Sequence, residues 1–302
     1  MTRKDYVLAL LVAMVWGANF TVIQLGLNGV PPMLLAALRF LLVAFPAVFF
    51  VPRPKVNAGY WISYGATVGI GQFGCLFYAM HIGMPAGVAS VVLQSQAFFT
   101  LILAAVWLKE RITRSQLVGL AIAALGLGLV GRSSGLDQIH AIPPAAFLLS
   151  LAGATSWATA NIVIKQMSAT AEQGINMLSV IVWSSLVPPV PLLLLALLLD
   201  TPTTLFQALT SLDELSMFSV LFIAFGATLF GFGTWSQLLS QYSSNVVAPL
   251  SLLVPITGLL TARIVLNEQM ALSQWIGCCV IILGLVLATV GFDRLRAWVS
   301  PV

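Results

Sequence analysis

LKERITRSQLVGLAIAALGLGL, residues 108–129, returns at residues 266–287 as LNEQMALSQWIGCCVIILGLVL. The shift is constant, 266 − 108 = 158 positions. Leu108, Glu110, Ser115, Gln116, Gly119, Leu125, Gly126, Leu127 and Leu129 all recur as the same residue. Leucine matches come easily in a chain that is 60% apolar, but a Glu, a Ser-Gln pair and two Gly in register do not. Near the start of each copy, Trp16 with Asn19 is echoed by Trp157 with Asn161 after a one-residue slip. The chain therefore reads as two copies of one unit joined near Gly131–Pro143. The expected halves are 1–131 and 143–292, followed by a tail, 293–302.

Charged residues make up 7% of the chain, against about 25% in soluble proteins. So little charge cannot cover a water-facing surface, and the outside must face lipid. Crossing about 30 Å of hydrocarbon takes about 20 apolar residues in a helix. Ten runs of that order follow one another: 6–27, 32–51, 60–80, 85–108, 113–130, 144–165, 174–199, 215–240, 245–266 and 271–292. Their length excludes membrane strands, which need only about 9–11 alternating residues. The fold class expected is an all-α membrane protein of ten transmembrane helices, arranged as two inverted five-helix repeats. The basic start before Tyr6 resembles a secretory leader, but the apolar run is too long for one and more spans follow. A short surface helix is expected between Thr201 and Glu214.

Short loops rich in Lys and Arg stay on the cytoplasmic side. With the N-terminus inside, that side holds Arg3, Lys4, Arg53, Lys55, Lys109, Arg111, Arg114, Lys165, Arg294 and Arg296, and the outside holds only Arg132. Both termini are thus expected to be cytoplasmic. Five spans per unit is an odd number, so the second unit enters the membrane from the opposite face. Inverted repeats around a central cavity are a transporter design.

The residues that do not belong in lipid are the candidate site. Arg39 and Arg263 fall within helices. Arg39 lies about 10 Å below the outer end of the second span, and no Asp or Glu lies deep in any span. Its expected partners are backbone carbonyls, water or a ligand carboxylate; it is either a structural arginine or the group that binds a substrate carboxylate. Asn19, Gln24, Gln72, Gln94, Gln96, Asn161 and Gln237 must face the interior, since an unmade amide bond in hydrocarbon costs several kcal/mol. Each is either interhelical glue or cavity wall. Together they describe a polar, neutral space suited to a zwitterion. Gln94 and Gln96 are about 200° apart on an α-helix, so one of them at most is expected to point into it. Trp16 and Trp157 are either cavity walls or packing.

His81 is expected in a solvated loop. Glu110 and Glu268 are expected to favour the dipoles of the fifth and tenth helices, and Lys165 to act as a cytoplasmic anchor. Pro188, Pro189 and Pro191 should interrupt the seventh span, and Pro249 and Pro255 the ninth. The first half has Ala97 where the second has Pro255, so the halves should bend differently. Gly119, Gly126, Gly277 and Gly284 should allow close helix contact.

Cys75, Cys278 and Cys279 sit in apolar runs and give no disulfide or metal pattern. There is no phosphate-binding loop for ATP, and His81 and His140 lack an acidic partner, which disfavours a membrane enzyme. No metal or cofactor is expected, nor a nucleic-acid partner. A passive channel and an exporter of some other metabolite or drug are the remaining rivals.

Trp16-Gly17 with Asn19-Phe20, Leu38-Arg39-Phe40, Met84-Pro85-Ala86-Gly87, Leu93-Gln94, Gln96-Ala97-Phe98-Phe99-Thr100, Glu110-Arg111, Ser156-Trp157, Asn161-Ile162, Lys165 and Val247–Pro255 carry a resemblance. It runs nearly end to end. The chain resembles the EamA type of the drug/metabolite transporter superfamily, in its exporter subgroup. The resemblance implies an exporter of cysteine-pathway amino acids, O-acetylserine and cysteine, in a bacterial inner membrane. The inverted halves and the polar residues within the spans lead to the expectation of alternating access, with Arg39, Trp16, Asn19, Gln72, Gln94, Gln96, Trp157, Asn161 and Gln237 as substrate-binding candidates.

Overall fold

The computed structural model describes residues 1–132, 142–171, 174–242 and 244–290. The tail, 293–302, and most of the expected linker lie outside them. Helix occupies every predicted run, and no strand occurs among the described residues. In chain order these are α1 (Arg3–Leu27), α2 (32–49), α3 (58–81), α4 (Ala86–Trp107), α5 (Arg114–Arg132), α6 (Pro144–Thr170), α7 (Met177–Leu199), α8 (214–241), α9 (244–265) and α10 (Leu272–Val290). The expected surface helix is Pro202–Thr210. Among the described residues, seven helices are long and apolar enough to cross a membrane, and Arg114–Val130 and Leu250–Val265 are shorter apolar helices. Large apolar side chains such as Leu194, Leu198, Ile264 and Leu272 point outward, as lipid solvent requires.

The recurring Glu and Ser-Gln of the repeat build one turn twice. Lys109 and Asn267 both take positive φ, 55° and 52°. The N–H of Glu110 then reaches Ala104 O, and that of Glu268 reaches Ala262 O, both at 3.3 Å. Gln116 Oε1 accepts from Thr113 N (2.9 Å), and Gln274 Oε1 from Ala271 N (3.0 Å). Each Gln satisfies a backbone donor at the start of the next helix, as in a capping box.

The recurring glycines close α5 on α10. A Cβ on Gly119 would sit 2.6 Å from Gly284 O, and one on Gly126 2.8 Å from Gly277 O. As the number rises on one helix it falls on the other, so the helix and its repeat mate run antiparallel. That is the relation expected of inverted units. The other contacts also come in matched pairs: α1 packs on α8 and α9, and α6 on α3 and α4.

Irregular turns recur as well. A π segment lies in α3 (Ala66–Gly74) and in α8 (Phe222–Phe230). A 3₁₀ segment lies in α4 (Leu93–Ser95) and in α9 (Ala248–Leu252). The tightening in α4 occurs without a proline, whereas that in α9 contains Pro249, and Pro255 lies in the α-helix just beyond it. α7 does break, between Ser184 and Pro189. There Pro188 fills the space in front of Gly69, where a Cβ would lie 1.9 Å from its Cγ.

Candidate functional site

The midpoints of α1, α2, α3, α4, α6, α8 and α9 surround a cavity of about 710 Å³. Trp16, Asn19, Arg39, Gln72, Gln94, Gln96, Trp157 and Asn161 line it, so both halves contribute. Among the described residues, no Asp or Glu lines it. Gln237 is not part of the wall. It is exposed, because Trp235, Ser236 and Leu239 take the cavity face of α8 and each α-helical residue turns about 100°. Gln94 and Gln96 both line the space, against expectation. The 3₁₀ turn at Leu93–Ser95 has about three residues per turn, which brings residues two apart closer to a common face than an α-helix does.

The cavity runs toward one end of the bundle, where Ser168, Ile175, Met177 and Leu239 belong to its wall. Ser168 and Leu239 are exposed, so it reaches the surface there. A second, larger groove of about 1590 Å³ lies at the same end, lined by Arg53, Lys55, Tyr60, Gln166 and Asn176. Ile175 borders both. Glu110 and Lys165 form an ion pair at this end. Glu268 lies at the opposite end, in the α9–α10 turn.

Arg39 is 1% exposed. Its Nε donates to Thr228 Oγ1 at 3.1 Å. Its guanidinium carbon lies 3.7 Å from the centroid of the Phe73 ring, which is stacking distance. Nη1 has no hydrogen-bond partner among the described residues. This partner is a side-chain hydroxyl, outside the expected set of carbonyls, water and ligand carboxylate. Thr228 serves because of the π turn. Its own hydroxyl donates to Ile223 O, five residues back, at 2.8 Å, which leaves a lone pair facing Nε.

Trp16 is fixed beside Arg39 through the adjacent residue of α8: its Nε1 donates to Ala227 O at 2.9 Å. Phe232 and Trp235 flank the indole at centroid distances of 5.2 and 5.3 Å. Gly231 admits it, since a Cβ there would lie 2.4 Å from Nε1. Asn19 is buried, and its Oδ1 has no hydrogen-bond partner among the described residues. Tyr64, Phe73, Thr228, Phe232 and Trp235 were missed from the sequence. They are ordinary aromatic or hydroxyl residues in apolar runs; Phe73 and Thr228 lie in the π segments of α3 and α8.

Asn161 and Gln96 serve as glue as well as wall. Asn161 Nδ2 donates to Gln96 Oε1 at 2.7 Å and to Thr100 Oγ1 at 3.1 Å, tying α6 to α4. A double-mutant cycle of Asn161→Leu and Gln96→Leu is expected to give a coupling of about 0.6–1.7 kcal/mol in thermal unfolding of the detergent-purified chain. Strict additivity would mean that the bond contributes nothing. His81 is exposed.

The sequence pattern of the EamA-like transporter family matches residues 3–132 and 144–290. The chain belongs to this family. It is a multi-pass membrane transporter and not an enzyme. A probable amino-acid metabolite efflux pump of Salmonella typhimurium is 48% identical over 97% of this chain and 97% of its own length. A protein of the same description from Escherichia coli strain K12 is 45% identical over 98% of each. A crystal structure with 16% identity superposes with a TM-score of 0.64, covering 98% of this chain and all of that one, so the EamA-like fold extends to distant sequences.

The expectation for the two glutamates is corrected. Glu268 does not serve its own helix: Oε1 accepts from Ala86 N at 2.6 Å and Oε2 from Gly87 N at 3.0 Å, at the start of α4. Glu110 is held by Lys165.

Proposed function

We propose that this EamA-like chain exports cysteine-pathway amino acids, O-acetylserine and cysteine, by alternating access in a bacterial inner membrane. All ten helices cross the bilayer, both termini are cytoplasmic, and the halves 1–131 and 143–292 are inverted. The cavity open beside Glu110 then faces the cytoplasm. One observation carries the reading: a buried guanidinium whose Nη1 has no partner among the described residues and a wall of neutral amides from both halves line one cavity. A substrate carboxylate would complete Arg39, where Lys could not make the paired contact. An ammonium would find amide oxygens and the ring faces of Trp16 and Trp235. A purely cationic drug is disfavoured by the lack of a lining carboxylate. The description of the two close relatives as amino-acid metabolite efflux pumps supports the same substrate class.

The experiment is efflux of radiolabelled O-acetylserine and cysteine from cells with and without the protein. Faster efflux of both is expected; no acceleration of either would overturn the substrate assignment. In proteoliposomes, collapse of an imposed pH gradient on substrate addition marks proton antiport, and persistence marks downhill efflux. Single-channel conductance in a planar bilayer would replace alternating access with a pore.

A further inference from the structure

We propose that Glu268 is the latch that holds one end of the α4–α9 pair shut, and that Glu110 performs the same task at the other end in the opposite state. The inference rests on the alternating-access reading. Both carboxylates leave the same turn, since Lys109 and Asn267 share positive φ and Glu110 N and Glu268 N bond equivalent carbonyls. Yet they are used differently. Both contacts cross between the halves, but Glu268 ties the α9–α10 turn to two backbone N–H groups of α4. Glu110 is about half exposed and pairs with Lys165. The cavity follows the same asymmetry: its wall reaches the surface at the Glu110 end, and no residue of the Glu268 turn lines it. The end where α4 is held to the α9–α10 turn is the closed end.

The surroundings of Glu268 are built for contact. A Cβ on Gly87 would lie 3.2 Å from Oε2 and 3.3 Å from Ala262 Cβ and Leu259 Cδ2, so a larger residue would press on the carboxylate and on α9 together. Arg263 Nη1 donates to Glu268 O at 2.9 Å and sets the turn. The latch is also releasable. Burial pushes the Glu268 carboxyl above its ordinary value, against the pull of the Gly87 and Ala86 N–H groups. Hydration on opening recovers that desolvation cost while the two bonds are lost, so the two states stay close in energy.

The test is Leu259→Cys in a chain whose Cys75, Cys278 and Cys279 are replaced by alanine, labelled with an impermeant maleimide from the Glu268 face without substrate. Glu268→Ala is expected to raise the labelling rate by roughly tenfold or more, because two charge-assisted bonds are lost. Glu268→Gln, which keeps the size and one good acceptor, gives a smaller rise. Glu110→Ala lowers labelling, because the opposite end can no longer be held. Unchanged labelling in Glu268→Ala or Glu268→Gln that purifies as a folded monodisperse chain overturns the latch. So does a rise with Glu110→Ala. Labelling as expected in a protein that fails to export O-acetylserine or cysteine would sink the substrate reading and leave the latch standing.

Discussion

Arg39→Ala is expected to lower efflux of O-acetylserine and cysteine by about 30-fold or more, and Arg39→Lys to recover little of it. A charge inside a membrane protein is kept only where it is solvated by protein, water or ligand. Arg39 has one hydroxyl, the rings of Phe73 and Phe40, and an Nη1 with no partner among the described residues. Removing one member of a buried, hydrogen-bonded charge pair costs about 2–5 kcal/mol, hence the fold-change. Lysine keeps the charge but neither stacks flat on Phe73 nor donates in a planar fork. The discriminating substrate is cysteamine, which lacks the carboxylate. If Arg39 binds the carboxylate, cysteamine efflux is the same in wild type and Arg39→Lys, while cysteine efflux falls. Equal losses for both would reassign Arg39 to scaffolding. Thr228→Ser, which preserves the Oγ acceptor, should transport like wild type; Thr228→Val, which leaves Nε without it, should follow Arg39→Lys.

These residues also mark how far the sequence could be read. Arg39 and the amides other than the exposed Gln237 were legible because each violates the rule of its solvent: polar groups in apolar runs turn inward. The repeat was legible because Glu and Ser-Gln recur at one spacing, and the turn they form twice explains why both were retained. Thr228, Phe73 and Trp235 were not legible, because nothing distinguishes them from neighbours that face lipid. Thr228 and Phe73 lie in the π turns of α8 and α3, and those turns have no composition of their own. The same limit explains the pair Gln94 and Gln96: facing directions derived from 100° per residue drift where the helix is wound differently. The partner of Glu268 lies 181–182 residues away on another helix, a contact that helix-dipole reasoning within one element cannot reach.

Gly126→Leu is expected to be among the most destabilising single substitutions in the chain, while Gly128→Leu on the same helix is expected to be near neutral. A Cβ at 126 would lie 2.8 Å from Gly277 O and from Ile281 N, which are backbone atoms that cannot rotate aside. The helices must separate instead. Separation forfeits the seam along its length, because Gly119 against Gly284, seven residues on, needs the same close approach. Lipid chains are as apolar as leucine, so no hydrophobic gain from burial offsets the lost packing. Overpacking in a tight core costs about 1–3 kcal/mol, occasionally more, and here it falls on the pair that joins one half to the other. A Cβ at 128 meets nothing within 4 Å, and replacing a mid-helix glycine removes a penalty of roughly 0.5–1 kcal/mol. The melting temperature of the detergent-purified chain should therefore fall with Gly126→Leu and hold or rise with Gly128→Leu. Gly284→Leu should repeat the fall, since its Cβ would meet Gly119 O at 2.6 Å from the other side. Equal melting temperatures for the variants at 126 and 128 would mean that α5 and α10 do not meet at their glycines.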